Sequence, residues 1–467
     1  MNVNGAITRL VALFAVAYAL LVARQFYVQV IAGPSLARNV HNPRNAVLAR
    51  YRGSIVARDG TVLARSTARG RIYPLGASLA HALGYVSERY GATGLEDAYD
   101  RDLAARPLAG DIVAQVQQLA GTREAAPALR GATVITTIDP ATQATLYGAL
   151  AAFPRAAGVA LDPRTGAVLA LASVPSYDPA AIDSVFSSLV HDARSPLLDR
   201  SLDGLYPPGS TFKIFTAGAA LETGSVAPDA TFYDPGTYTA GDFVVHDNEG
   251  EATGTQDLSG AFALSSNVDF AQIALKLGVV RWFDAVERWK LGATLGFTLP
   301  VEHDRIPARA SVTPSILAQL AFGQADLLVT PLRMALVAAT IATGGTTPRP
   351  YLVSAVRGDH VRVEGAPHAL ASPLTPDVAA HVRDFMIAAV RHGTGRAAAL
   401  SGIEVAGKTG TATNPAGRSH AWFVAFAPAE APRVAVAIVV ENAGYGGEIA
   451  APVARNVIAT ALAHGPR

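Results

Sequence analysis

The most informative absences in this sequence are those of cysteine and, almost entirely, of lysine. The 467 residues include no cysteine, which excludes disulfides, thiolate catalysis and cysteine metal ligands. Only four of the 38 basic residues are lysine, namely Lys213, Lys276, Lys290 and Lys408. Arginine cannot be deprotonated in a protein, whereas a buried lysine can lose its proton near neutral pH. We therefore expect lysine to persist where the chemistry needs a compact or a neutral amine.

Charge is scarce as well. Charged residues make up 16% of the chain, and the net charge of +1 gives no electrostatic reason to expect a nucleic-acid partner. Half of the residues are hydrophobic, which is enough to bury a large core. A chain of this length predicts two or three domains rather than a single core.

The first 31 residues predict a membrane anchor. Leu10–Ala23 is an uncharged run between Arg9 and Arg24, and the extension to Ile31 reaches the length that spans a bilayer. A cleaved signal peptide and a buried soluble helix are the alternatives, although no small-x-small cleavage site follows the run. More arginines follow the run than precede it, which is the reverse of the usual charge bias for an outward-facing C-terminus.

The rest of the chain predicts a mixed α+β fold in two parts. Two strand–turn–strand patterns stand out, one over 52–64 around an Asp-Gly turn and one over 158–172. A stretch rich in helical patterns then runs to residue 400, followed by two apolar strands and a last helix over about 450–463. We expect an antiparallel sheet assembled from both ends of the C-terminal part, flanked by helices, with a helical subdomain inserted between. The predicted divisions are an anchor at 1–31, a small β-rich pedestal at 32–152 and a catalytic domain at 153–467.

A possible nucleophile lies in Ser210-Thr211-Phe212-Lys213, at the start of a predicted apolar helix. The spacing i, i+3 places the Ser210 hydroxyl and the Lys213 amine on one helix face. A proton-free Lys213 there could accept the serine proton, so that the serine becomes a nucleophile without histidine. The structural alternative is that Ser210 is only a helix N-cap.

Two further motifs follow in the chain. Ser265-Ser266-Asn267 offers a hydroxyl and an amide on a turn before a helix, and its structural alternative is a capping turn. Lys408-Thr409-Gly410-Thr411 opens a strand, where Gly410 would let a ligand backbone approach the edge; its alternative is a polar hairpin end. The three motifs in this order favour one active site over three separate structural roles.

The order Ser-x-x-Lys, Ser-x-Asn, Lys-Thr-Gly makes the chain resemble the class B penicillin-binding proteins, the membrane-anchored D,D-transpeptidases of peptidoglycan synthesis. The resemblance covers nearly the whole length. Further segments are similar to family signatures: Arg52-Gly53-Ser54-Ile55, Gly94-Leu95-Glu96, Tyr99-Asp100, Thr136-Thr137-Ile138-Asp139, Asp162-Pro163-x-Thr165-Gly166, Tyr206-Pro207-Pro208-Gly209, Gly323-Gln324, Val329-Thr330-Pro331, Gly393-Thr394-Gly395 and His420-Ala421-Trp422-Phe423.

The resemblance implies an acyl-enzyme mechanism. Ser210 would attack the penultimate D-Ala carbonyl of a stem pentapeptide, D-Ala would leave, and an amine of a neighbouring stem would resolve the acyl-enzyme. Lys213 would be the base for acylation. Ser265 would relay a proton toward the leaving amine, and Lys408 would tune that hydroxyl and the local field.

The resemblance also implies the substrate contacts. Asn267 would hold the donor-stem amide, and Thr409 and Thr411 beside Gly410 would bind the terminal carboxylate. The backbone N–H groups of Ser210 and Thr411 would form the oxyanion hole. No cofactor and no metal are implied, and His246-Asp247-Asn248-Glu249 is interpreted as a polar loop rather than a ligand set.

The implied partners are stem pentapeptides, β-lactams, the plasma membrane through the N-terminal helix, and a membrane glycosyltransferase of division or elongation. The catalytic domain would face the extracytoplasmic side of a single-pass protein. A serine β-lactamase and a non-catalytic β-lactam sensor are the alternatives. The first normally has an apolar residue where Asn267 stands and is about half this length. The second carries extra modules that are not found here.

Overall fold

A computed structural model describes residues 3–27, 52–104, 131–247, 251–414 and 417–464. Its first helix, α1, is Val3–Phe26. Within the described residues, none of the helices combines the length and the apolar character that crossing a membrane requires. Residues 28–31 of the predicted anchor, and 32–51 and 105–130 of the predicted pedestal, lie outside the described residues.

Strands and helices alternate irregularly along the chain. The strands are β1 Ile55–Val56, β2 Val62–Thr67, β3 Gly70–Ile72, β4 Val86–Ser87, β5 Gly91–Ala92, β6 Thr133–Thr136, β7 Ala156–Leu161, β8 Val168–Val174, β9 Thr231–Asp234, β10 Thr237–Ala240, β11 Phe243–His246, β12 Gly254–Asp257, β13 Thr347–Pro348, β14 Val353–Arg357, β15 Val361–Val363, β16 Ala369–Ala371, β17 Ala406–Asn414, β18 Gly417–Ala427 and β19 Val434–Val440. The helices after α1 are α2 Ala80–Leu83, α3 Gly94–Ala98, α4 Asp100–Leu103, α5 Pro140–Leu150, α6 Ile182–His191, α7 Lys213–Glu222, α8 Leu258–Leu264, α9 Asn267–Arg288, α10 Pro314–Leu320, α11 Pro331–Ala342, α12 Pro376–Arg391 and α13 Gly446–His464.

The N-terminal sheet has the order β15-β14-β6-β1-β2-β3. The predicted hairpin at its centre is confirmed, with Ile55 opposite Ala64 across the Asp-Gly turn. Beneath this sheet a buried Glu96 joins two arginines, accepting from Arg52 at 2.6 Å and from Arg71 at 2.7 Å. Strands β14 and β15 lie far along the chain, so this sheet combines segments from both sides of residue 153.

The central sheet has the antiparallel order β17-β18-β19-β7-β8, which confirms the expectation of a sheet built from both ends of the C-terminal part. Helices α5 and α13 pack on one face and α11 on the other. Every residue of β19 is buried, because both faces of the strand are covered. Coverage on both faces explains why its sequence is continuously apolar rather than alternating.

Between the two ends of the sheet lies the helical part. Lys213 to Leu221 of α7 are all buried, and the helix packs against α9 and α12. The stretch up to residue 400 is rich in helices, as expected, and it also contains strands that were not predicted, since β9 to β12 form two antiparallel pairs. These strands are only four residues long, and such short strands are hard to distinguish from loops by periodicity.

Candidate active site

The Ser210 turn is the first component of the site. Gly209 has a φ of +55°, a conformation that glycine adopts without strain. Gly209–Phe212 forms a 3₁₀ turn, and α7 begins only at Lys213, so the expectation that Ser210 opens the α-helix was wrong by one turn. The N-cap alternative for Ser210 is excluded, because the helix cap is Phe212. In a 3₁₀ turn residues i and i+3 lie on the same face, so Ser210 and Lys213 share one side of this turn.

Packing against the central sheet holds this turn in place. The indole Nε1 of Trp422 donates to the Pro207 carbonyl at 3.0 Å, and Thr211 Oγ1 donates to the Pro208 carbonyl at 2.7 Å. A β-carbon on Gly410 would lie 2.9 Å from the Pro208 carbonyl oxygen. Gly410 is therefore required by the close approach of the nucleophile turn, whereas the sequence suggested the approach of a ligand.

Lys213 lies fully buried at the centre of the site. Its Nζ donates to the Ser265 carbonyl at 2.5 Å, to Ser265 Oγ at 3.2 Å and to Asn267 Oδ1 at 2.9 Å. Burial lowers the pKa of Lys213 to about 7, although nearby carboxylates oppose this effect. A free amine is thus a substantial fraction of Lys213 at neutral pH, which is what a general base requires.

The second motif is a tight link between α8 and α9. Ser265 ends α8 in the left-handed region with a φ of 66°, and such a conformation costs a non-glycine residue on the order of 1–3 kcal/mol. The strain turns the Ser265 carbonyl and hydroxyl toward Lys213. Ser266 caps α9 by accepting the Asp269 N–H at 2.9 Å, so the capping alternative holds for this neighbour while Ser265 and Asn267 face the lysine.

The third motif lies on β17, which is an edge strand of the central sheet. One side of an edge strand keeps unpaired N–H and C=O groups, which can bind an extended peptide. Lys408 is fully buried, and burial together with the charge of Lys213 lowers its pKa well below the ordinary value. Thr409 Oγ1 lies 2.6 Å from Thr394 Oγ1, so the Gly393-Thr394-Gly395 segment supports this strand.

A cavity of about 810 Å³ brings the motifs together. Ser210, Asn267 and Thr411 line it, whereas Lys213, Lys408 and Ser265 lie behind its wall. Other residues that line the cavity were not anticipated from the sequence. They include Phe243, Val244, Arg418, Tyr445 and Glu448.

Three carboxyl groups behind the second motif were also missed. Asp234, Asp247 and Asp269 are buried, and their charges act on Lys213. The polar-loop interpretation of 246–249 did not foresee that Asp247 is buried and accepts the backbone N–H of Asn267; residues 248 and 249 lie outside the described residues. Asp247 gave no periodic signal in the sequence, because the residues it acts on lie 13 to 34 positions away along the chain; they are Asp234, Asn267 and Lys213.

Known proteins share this arrangement. The chain matches the family described as "Penicillin binding protein transpeptidase domain" over residues 156–459 and "Penicillin binding protein A dimerisation domain" over residues 52–126. It is 34% identical to the peptidoglycan D,D-transpeptidase PbpA of Mycolicibacterium smegmatis, over 99% of this chain and 100% of that protein. PbpA of Mycobacterium tuberculosis H37Rv is 35% identical over 89% of this chain and 90% of that protein.

Solved structures agree with these sequence matches. The ceftriaxone acyl-enzyme complex of penicillin-binding protein A from M. tuberculosis has a TM-score of 0.81 and 33% identity, covering 89% of this chain and 99% of that chain. The imipenem acyl-enzyme complex of the same protein has a TM-score of 0.81 and 32% identity, covering 90% and 100%.

Proposed function

The chain belongs to the class B penicillin-binding proteins and is a peptidoglycan D,D-transpeptidase that β-lactams inhibit covalently, and we propose that Ser210 is its nucleophile. The observation that carries this assignment is the single cavity into which Ser210 projects beside Asn267 and Thr411. Lys213 lies buried behind the cavity wall that Ser210 and Asn267 form, and this burial lowers the pKa of Lys213 to about 7.

Acylation then proceeds as follows. Lys213 accepts the Ser210 proton as the serine oxygen bonds to the carbonyl carbon of the penultimate D-Ala. The bond from that carbon to the terminal D-Ala nitrogen breaks, and the leaving amine takes a proton through Ser265, which already contacts Lys213. D-Ala departs, and the stem remains as an ester on Ser210.

The donor stem binds along β17. An extended peptide can pair with the free edge of this strand, with Thr411 at the cavity wall and Thr409 behind it. The carboxylate of the terminal D-Ala would accept from these hydroxyls, and Lys408 would shape the field beneath Gly410 and Thr411. The N–H groups of Ser210 and Thr411 would stabilise the tetrahedral oxyanion. Asn267, whose amide oxygen accepts from Lys213, would present its NH₂ group toward the donor stem.

Transfer reverses the first step. An amine of a second stem attacks the ester carbonyl, its proton passes to Lys213, and the Ser210 oxygen leaves with a proton. The new amide is the cross-link. The exposed side chains of Phe243 and Tyr445 also line the cavity, and the second stem would enter beside them.

We also propose that residues 1–31 anchor the protein in the plasma membrane, with 32–152 as the pedestal and 153–467 as the catalytic domain outside the cell. Apolar side chains of α1, Leu13 and Leu20 among them, are more than half exposed, so no other part of the described chain covers them. A 24-residue helix extends about 36 Å, which exceeds the ~30 Å hydrocarbon core. A membrane glycosyltransferase that supplies nascent glycan would be the partner.

Two experiments test these assignments. Benzylpenicillin should add one penicilloyl mass to the purified protein, mapped to Ser210, and the adduct should persist for many minutes. Labelling of the Ser210→Ala variant, or an adduct on another residue, would show that Ser210 is not the nucleophile. For the anchor, alkaline phosphatase fused to the C-terminus should be active in cells, because the C-terminus faces outside. An inactive fusion, together with an active cytoplasmic reporter at the same position, would show that the C-terminus faces the cytoplasm.

A further inference from the structure

A group of three buried aspartates lies behind the Ser265-Ser266-Asn267 turn. Asp234 ends β9, Asp247 follows β11 and Asp269 is in the first turn of α9. They are 0%, 9% and 0% exposed. Burying a carboxylate is costly unless donors or cations compensate it, so three together in one place need a physical reason.

Asp247 holds the N-terminus of α9. Its Oδ1 accepts the backbone N–H of Asn267 and, at 3.2 Å, that of Val268. These N–H groups have no partner within the helix, and the helix dipole favours a negative group there. The Asn267 side chain is also held from this loop, because its Nδ2 donates to the His246 carbonyl at 3.0 Å. The loop therefore sets the position of the amide that accepts from Lys213.

Asp234 is the ionised member of the group. Its two oxygens accept from the Gly236 N–H at 2.7 Å, from Thr253 Oγ1 at 2.7 Å and from Ser266 Oγ at 3.1 Å. These donors outweigh burial, and the pKa of Asp234 is lowered. An ionised carboxylate has about four lone-pair sites, so one remains for a further donor.

Asp247 supplies that proton. No donor among the described residues bonds Asp247 Oδ2. The Asp234 carboxyl is the neighbour that raises the pKa of Asp247, and a bond between two carboxyl groups requires a proton on one of them. Burial and the bond to Asp234 raise the pKa of Asp247 to about 7. Both oxygens of Asp269 have no hydrogen-bond partner among the described residues, and burial raises its pKa to about 6.

The cation that faces this group is Lys213 on α7. The charges of Asp247, Asp269 and Asp234, in that order, oppose the effect of burial on the lysine pKa. Lys408 on β17 is a second buried lysine, and the charge of Lys213 adds to the effect of burial in lowering the pKa of Lys408. His246 precedes Asp247 on the same loop, but it is exposed to solvent.

We propose that Asp247 is a positioning residue of the transpeptidase reaction, which holds Asn267 at the N-terminus of α9 and, through a proton shared with Asp234, controls the charge that Lys213 experiences. The proposal rests on Lys213 being the base for Ser210. When Asp247 carries the shared proton, Lys213 faces less negative charge and releases its own proton more readily. When Asp247 is ionised, the protonated lysine is stabilised and acylation is slowed.

Asp247→Asn separates the two roles. The amide oxygen can still accept the N–H groups of Asn267 and Val268, and the NH₂ group can replace the shared proton toward Asp234. Only the capacity to become an anion is lost. Asp247→Ala removes the acceptor as well, so it should lower acylation at every pH and reduce the melting temperature.

The experiment measures the second-order rate of acylation by a fluorescent penicillin between pH 5 and 9, on the full chain in detergent. In Asp247→Asn the acidic limb should move to lower pH by about half a unit or more, because an opposite charge near a lysine changes its pKa by up to about 1–3 units. The difference should be largest near pH 7, where Asp247 ionises in the wild type, and should close toward pH 5.5, where Asp247 carries its proton and the two proteins present the same charge to Lys213. Asp229→Asn, an exposed aspartate, is the matched control and should leave the profile unchanged.

Asp269→Asn provides a second variant, since its side-chain oxygens have no hydrogen bonds to lose. It should move the limb in the same direction with a normal melting temperature. Acidic limbs that coincide with the wild type in both Asn variants would overturn the proposal, and so would wild-type acylation by Asp247→Ala. Those results would leave Ser210 as the nucleophile, whereas labelling of Ser210→Ala would overturn the function itself.

Discussion

Replacing Lys213 by arginine tests whether this residue acts as a base or only as a cation. With a pKa of about 7, about half of Lys213 is free amine at pH 7, against about one part in 3,000 for a lysine with the ordinary value of 10.5. Arginine stays protonated in proteins and would offer almost no free base. The loss of base catalysis is therefore nearly complete in Lys213→Arg.

General-base catalysis contributes about 10²–10⁴-fold to a rate. We expect Lys213→Arg to lower the rate of penicillin acylation at least ~100-fold, with a melting temperature close to that of the wild type if the guanidinium keeps the contacts to Ser265 and Asn267. The wild-type rate should fall as the pH decreases below about 7, because Lys213 then becomes protonated.

Stopped-flow fluorescence with a labelled penicillin measures this rate, and intact mass confirms the adduct. Lys276→Arg and Lys290→Arg are the matched controls, because both lysines are exposed and lie outside the cavity. A Lys213→Arg variant that acylates within about threefold of the wild type would show that another group deprotonates Ser210. In that case the argument from the scarcity of lysine would be wrong as well.

Three further predictions follow from the same geometry. Lys213→Met should raise the melting temperature at pH 7 by about 2 °C or more. Burial lowers the pKa of Lys213, so the unfolded chain binds a proton that the folded chain does not, and this difference destabilises the wild type. Calorimetry should show the gain of the variant shrinking as the pH rises from about 7 to 10.5. Gly410→Ala should slow acylation at least about tenfold, since a β-carbon there meets the nucleophile turn at 2.9 Å, whereas Gly148→Ala, with open space around it, should acylate normally. Glu441→Gln should destabilise the fold by about 1–3 kcal/mol in urea unfolding, because this carboxylate accepts from Arg200 and Tyr206 at 2.8 and 2.9 Å; Glu430→Gln, on the surface, should be neutral.

The local features of the fold were predictable from the sequence. The hairpin around Asp59-Gly60 and the second hairpin over 158–172 depend on residues within a few positions of each other, and both are present. The three motifs proposed to form the active site were identifiable for the same reason, since each is a short string with a definite order. The family followed from that order rather than from any calculated geometry.

Contacts between distant segments could not be predicted in this way. The pairing of β14 with β6 joins residues more than 200 positions apart, and neither strand carries a signal for the other. The requirement for Gly410 is set by the Pro208 carbonyl, about half the chain away, so the sequence suggested the wrong reason for the right residue.

The chemistry of the site depends on burial, and burial is a property of the packed chain. The sequence by itself determined that Lys213 and Ser210 lie one helical turn apart, because spacing along a helix is local. Only the tertiary structure decided that the lysine is removed from water and faces Asp247, Asp234 and Asp269, because these groups come from separate strands and a helix that meet only when the protein is folded. A pKa near 7 results from that environment, and no pattern of neighbouring residues in the chain encodes it.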